Sequence, residues 1–143
     1  MIALNTDQRL SAWVNLRQQI DTLEEPLEAV DKFWKQCFTT AYNKNLDPFN
    51  QRSWPTPWEI ISQNTYDDFT IAVMMGYTLL LSTKFSNSQV QIKTMVDKDQ
   101  TKLYNLVYLN EEHVLNCDQG PVKAQDISDS FRLENLVILQ RPR

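Results

Sequence analysis

Glycine is scarce in this chain: of 143 residues, only Gly76 and Gly120 lack a side chain. Loops that cradle phosphates need several backbone positions free of a Cβ, so glycine-rich nucleotide loops are excluded. Histidine is scarcer still, and any imidazole chemistry would have to run through His113 alone. The two cysteines, Cys37 and Cys117, show no C-x-x-C spacing and indicate neither a zinc site nor a disulfide framework. No apolar run reaches the roughly 18 residues that a membrane span requires, and the opening "MIALNTDQRL" lacks the basic and apolar parts of a leader. Positive charge is also short. A net charge of −4 and a pI near 4.9 argue against nucleic acid as the main partner, because that affinity comes from clustered lysine and arginine. Local basic spots, such as the "QRPR" end, are compatible with that balance. The expectation is a soluble protein of a reducing interior with no cofactor, no metal and no membrane partner, and assembly into a particle inside a cell fits it.

The residues that are present describe a folded domain. At 42% apolar with four tryptophans, the composition is globular, and the length suits a single domain spanning 1–143. Thr6 can cap a first helix whose positions Leu10, Trp13, Val14, Arg17, Ile20 and Leu23 recur at helical spacing. Pro26 then suits the first position of a second helix, along which Leu27, Val30, Phe33, Trp34, Cys37, Phe38 and Ala41 form an amphipathic stripe. The helix pair is expected over 1–42.

Periodicity stops over 43–57, where "NKNLDPFNQRSWPTPW" is rich in turn formers; loops longer than about 12–15 residues tend to be functional or mobile. Thr56, Pro57 and Glu59 then make a capping box that opens a two-turn helix. Asn64 or Thr65 is expected to cap the next helix, with Asp67 and Asp68 in its first turn complementing the dipole. "IAVMMGYTLLL" is apolar on every side, which marks a central buried helix running to about Ser82. Gly76 in its middle costs about 1 kcal/mol of helix propensity against alanine, which suggests a close approach by another backbone. Central helices therefore occupy 58–82. Beyond them the period changes to two: 90–96, 102–109, 113–117 and 134–140 read as strands of a small antiparallel sheet over 90–140, joined by turns such as "DKDQT". Helices first and a sheet second give an α+β fold, with N-terminal helices and a buried central helix packed on the sheet.

A polar cluster opening a buried helix ahead of an antiparallel sheet resembles the transglutaminase-like branch of the papain-like cysteine hydrolases. In that family a cysteine opens the central helix, a histidine follows on a strand, and an aspartate lies further on. "NTYDDFTIA" resembles the helix opening with Tyr66 in the cysteine position, or Asp67 if the register moves by one. "LYNLVYL" resembles the histidine strand with Tyr104 in that position, and "HVLNCD" places Asp118 in the third. The resemblance covers roughly 54–120 and implies a pseudoenzyme, in which Tyr66, Asp67, Tyr104 and Asp118 mark a vestigial site with their polar groups bonded to one another. A phenol with a pKa near 10 is a poor substitute for a thiolate. Separately, "DPFNQRSWPTPWEII" and "YTLLLSTKF" are similar to a group of small proteins of contractile-tailed, marine-type bacteriophages. That similarity implies other phage structural proteins as partners, and a place in the virion after assembly in the host cytoplasm.

Local readings temper several candidates. Thr65 is read as a helix cap rather than a nucleophile. His113 and Cys117, four residues apart on one strand, would lie about 13 Å apart, too far for a dyad or for a metal site with Asp118. Asp67 and Asp68 point about 100° apart on a helix and cannot pair as acid and base. Trp54 and Trp58 bracket "PTP" and either line a groove for a partner or cap the core. With Phe49 and Arg52 they make the expected interaction surface, together with the exposed side of the helix pair and an edge strand at 134–140. The reading is a non-catalytic interaction protein of a tailed-phage virion. The rivals are an enzyme, either a cysteine hydrolase using Cys37 or Cys117 with His113 or a hydrolase with an unrecognised site, and a host-directed binding protein.

Overall fold

The computed structural model describes residues 4–99 and 101–142. The first helix, α1 (Thr6–Ile20), is capped by Asn5 rather than by Thr6. The Asn5 side chain accepts from the Gln8 N–H while the Gln8 side chain accepts from the Asn5 N–H, so two end donors are satisfied reciprocally. Its buried line is Arg9, Trp13, Leu16 and Ile20. Trp13 and Ile20 face inward as expected, but Leu10, Val14 and Arg17 flank the line and Leu23 is exposed. Arg9 displaces them because its guanidinium reaches the C-terminal carbonyls of a later helix, Ile61 O at 3.1 Å and Ser62 O at 3.4 Å.

Helix α2 (Pro26–Lys35) begins at Pro26 as expected but stops six residues short of Ala41. The chain is drawn away from the helix by partners elsewhere: the Thr40 N–H donates to Tyr66 O at 2.7 Å and the Asn43 N–H to Asp67 Oδ2 at 3.1 Å. Phe38 and Ala41 are thereby left exposed. The following loop holds one 3-10 turn at Gln51–Ser53 and is pinned by buried Asn43, Leu46 and Trp54. Helix α3 (Pro57–Gln63) carries the expected Thr56–Glu59 capping box.

Helix α4 (Asp68–Leu80) is the central one, and every residue from Phe69 to Leu80 is buried. Its cap is Asp67, not Asn64 or Thr65; the carboxylate accepts from the Thr70 N–H at 2.7 Å and from the Thr70 hydroxyl at 2.6 Å. Asn64 instead ends α3 in a left-handed conformation. The neighbours at Gly76 are side chains rather than a backbone: a Cβ there would collide with Leu139 Cδ2 and stand 3.1 Å from Val90 Cγ1.

The sheet has five strands, β1 (Val90–Asp97), β2 (Lys102–Leu109), β3 (His113–Leu115), β4 (Val122–Lys123) and β5 (Phe131–Ile138). Their order is β4-β3-β2-β1-β5 with every pairing antiparallel. The fold is α+β, as the change of period predicts. β3 ends two residues before Cys117, and β5 lies three residues earlier than the 134–140 run at its start. α4 packs on β1 and β2, so Ile92, Val107, Leu109 and Val137 join the helices in one core. The other face carries a smaller cluster of Tyr104, Leu106, Tyr108, Val114 and Cys117, partly covered by Ala124 and Ile127. The turn expectation at Gln100 and the basic charge at Arg143 lie outside the described residues, as does the start of the leader stretch, residues 1–3. Among the described residues no helix is long and apolar enough to cross a membrane.

Candidate functional site

The opening of α4 lies against the sheet where β2 and the end of β3 converge. Asp68, the first residue of α4, has both carboxylate oxygens held by amides: Asn105 Nδ2 donates to Oδ2 at 2.9 Å and Asn116 Nδ2 to Oδ1 at 3.3 Å. Asn105 sits mid-strand opposite Thr94, whose hydroxyl donates to Asn105 Oδ1 at 2.7 Å. Asn116 follows β3 in a left-handed conformation, φ 68°, which asparagine tolerates better than most side chains. That turn aims its side chain back at Asn105 O, 2.8 Å away, and its N–H at Asp31 Oδ1, 2.8 Å away on α2.

Asp31 is buried and its charge is matched by Lys35 one helical turn on, at 2.9 Å. The Lys35 ammonium also donates to Cys117 O. Four elements are thus tied by one polar network, and each buried group in it has a partner, as groups in low-dielectric surroundings require. The network borders a cleft of about 390 Å³ walled by Trp34, Ile71 and Leu103, with Asp68, Asn116 and Cys117 among its polar groups. A larger cleft of about 990 Å³ runs between the start of α2 and the turn after β3, where Glu24, Glu28, Lys32, His113 and Lys123 mix both signs of charge.

The vestigial-site residues expected from the sequence fall into separate places. Tyr104 and Asp118 do meet, the phenol donating to Oδ2 at 2.9 Å, with Lys102 on the same carboxylate at 3.2 Å. The Tyr104 hydrogen bond, then Lys102, hold the Asp118 carboxyl below its usual range. Tyr66 is instead a core residue, fully buried against Trp34 with ring centroids 5.9 Å apart, and its hydroxyl has no hydrogen-bond partner among the described residues. Burial pushes its phenol pKa well up. Asp67 is turned to Asn43 and Thr70 in its role as cap. The four side chains therefore do not bond as one group. The three that do converge at the helix opening, Asp68, Asn105 and Asn116, stand one or two residues from those expected.

Neither thiol is set up as a nucleophile. Cys37 and Cys117 are buried, and burial raises each pKa to about 11, the reverse of what a reactive thiolate needs. Cys117 Sγ lies 3.9 Å from Val114 O. His113 is half-buried on β3 while Cys117 lies beyond the strand, so the shared-face geometry expected of them does not arise. Thr65 donates to Gln63 O at 3.3 Å and caps nothing. Among the described residues no group of three or more His, Cys, Asp or Glu is placed to hold a metal ion.

The expected interaction residues also divide. Trp54 is 9% exposed; its indole donates to Asp47 O and its ring meets Phe69 edge-on at 5.7 Å, so it caps the core. Trp58 is 39% exposed, with its ring edge-on to Trp13 at 5.8 Å. Phe49, at 83%, and Arg52 are open to solvent. Sequence reasoning passed over Asp31, Lys35, Asn105 and Asn116. One signal was available: in "LYNLVYL" the alternation places Asn105 on the same face as Val107 and Leu109, and a polar side chain on a buried face needs a partner. No family model matches the chain, and no curated protein matches it.

Proposed function

We propose that this chain is a non-catalytic interaction protein, a structural or assembly component of a tailed-phage virion, on a transglutaminase-like scaffold that has exchanged its reacting groups for structural ones. The observation that carries the non-catalytic reading is the state of Asp68. A nucleophile in the first turn of a buried helix would use the helix dipole and a neighbouring base. Here that place holds a carboxylate with two neutral amides bound to it, and no imidazole is within the network. The buried, poorly acidic thiols favour the same reading. Exposed Phe49, Phe38 and Tyr42 supply the aromatic surface that a binding protein needs. The virion reading rests on the similarity of "DPFNQRSWPTPWEII" and "YTLLLSTKF" to the phage group.

Two measurements test the two halves of the proposal. Quantitative mass spectrometry of purified particles should find the chain at a fixed copy number relative to the major capsid protein; absence from particles would discard the virion reading. Alkylation by iodoacetamide tests catalysis. Native protein should label slowly at neutral pH and faster only on approach to pH 11, while the D68C/N105H variant should carry a fast-reacting thiol of depressed pKa at the helix opening. Fast labelling of Cys37 or Cys117 in native protein at pH 7 would return the question to catalysis.

A further inference from the structure

β5 is the one long edge of the sheet, and its pairing with β1 contains an irregularity. Thr94 pairs with Asn135 and Met95 with Leu133, so Glu134 is an extra residue, a bulge. Without it, period-two alternation would put Leu133 and Leu136 on opposite faces. With it, Leu133 opposite Met95, Leu136 opposite Lys93 and Ile138 opposite Gln91 all lie on the face turned away from α4. The three leucine and isoleucine side chains are 49%, 43% and 49% exposed, and Phe131 begins the same row, stacked on Tyr104 with centroids 5.3 Å apart. An exposed strand edge with an apolar row is a template for pairing with another strand. Past Val137 the edge is closed by the loop, since Gln51 Nε2 donates to Ile138 O at 3.1 Å and the Gln140 N–H to Gln51 Oε1 at 2.9 Å.

We propose that β5 pairs antiparallel with β5 of a second copy of this chain, across a two-fold axis at Leu133. Positions along β1 give the spacing: Phe131 lies two steps before Leu133, at Asp97, and Leu136 two steps after it, at Lys93. The axis therefore sets Leu133 against its own copy and Phe131 against Leu136 of the partner subunit. Arg132 lies one step before the axis, at Val96, and the Glu134 bulge up to one step after it, beside Thr94. Each Arg132 then stands opposite Glu134 of the partner subunit, and the four charges alternate in sign. Moving the axis to Asn135 would keep leucine against leucine but draw Arg132 away from the opposing Glu134, so charge complementarity selects Leu133. Arg132 and Glu134 already pair within the strand at 2.6 Å, which leaves the edge neutral on a chain whose net charge is −4. The paired stretch, 131–136, ends before the Gln51 closure. The inference rests on strand register and stands apart from the virion reading, so either can fail alone.

Sedimentation equilibrium of the full chain tests it, with circular dichroism to confirm native folding of each variant. Wild type should be a dimer. R132E places four carboxylates around the axis and should weaken association roughly tenfold or more. The swap R132E/E134R restores alternation and should restore the dimer. L133C should form a disulfide-linked dimer on mild oxidation, because the two Cα atoms meet within the 4.4–6.8 Å that a disulfide spans. A wild-type monomer at millimolar concentration would overturn the proposal and make the bulge and ion pair edge-blocking devices. It is equally overturned by a dimer indifferent to R132E, by a swap that folds but stays monomeric, or by L133C that does not cross-link.

Discussion

The two faces of the sheet are built on different principles. Against α4 the face is closed: helix and strand side chains from Trp13 to Leu139 form one core. One polar node sits inside it, where the indoles of Trp13 and Trp34 donate to Thr78 Oγ1 at 2.9 and 3.0 Å and the Thr78 hydroxyl donates to Met74 O at 2.6 Å. The outer face is open. Its cluster around Leu106 and Val114 reaches β5 only at Phe131, and Leu133, Leu136 and Ile138 stay 43–49% exposed. The difference separates two tasks, since a close-packed face fixes the fold while a half-covered one keeps surface available for a partner.

The sharpest way to break that division is Thr78→Val. The substitution keeps the shape and removes the hydrogen-bond acceptor of two buried indole N–H groups. At about 1–3 kcal/mol for each of the two orphaned donors, the cost is roughly 2–6 kcal/mol. Urea unfolding should show it as a lower midpoint at unchanged slope. A loss below about 1 kcal/mol would mean that the node is not what fixes the two helices.

Gly76→Ala comes next. It gains about 1 kcal/mol of helix propensity, but its Cβ would collide with Leu139 Cδ2. Overpacking costs about 1–3 kcal/mol, so the net should be a destabilisation of about 1 kcal/mol. Relief in the double variant with Leu139→Ala, measured as a coupling between the two sites, would place the cost at that contact. Additive effects would refute it.

Much of this architecture was legible in the sequence because periodicity reports burial. The all-apolar run of α4 and the Thr56–Glu59 box each encode a local requirement that the fold then meets, and the strand-like run of β2 forms its strand, buried on both faces from Tyr104 to Leu109. What was not legible depends on partners distant in sequence. The end of α2 is decided by Tyr66 O and Asp67, more than 20 residues on, and the inward turn of Arg9 by carbonyls of α3. The site suffered most from this. A resemblance of order and spacing placed Tyr66, Asp67, Tyr104 and Asp118 together, whereas the residues that meet are set by helix phase and strand face, which a shift of one residue inverts. Tyr66 and Asp68 are two positions apart, and one is core while the other opens to the cleft.

The smallest effect belongs to the outer face. Asp118 titrates low because Tyr104 donates to it first and Lys102 second, and its side chain is 63% exposed, so solvent screens much of the interaction. A carboxyl whose folded pKa lies below its unfolded value, near 3.9, adds stability that is fully present above that value and is lost as pH falls through the folded pKa. Tyr104→Phe removes the larger cause while Lys102 stays. The variant should therefore be slightly less stable than wild type at neutral pH, and the difference should vanish in strong acid, where Asp118 is protonated in both. Carboxyl-detected NMR titration should show the Asp118 midpoint rising toward the ordinary range. Should the gap persist undiminished in acid, the tyrosine acts through its stacking on Phe131, and the outer face would depend on packing more than its open construction implies.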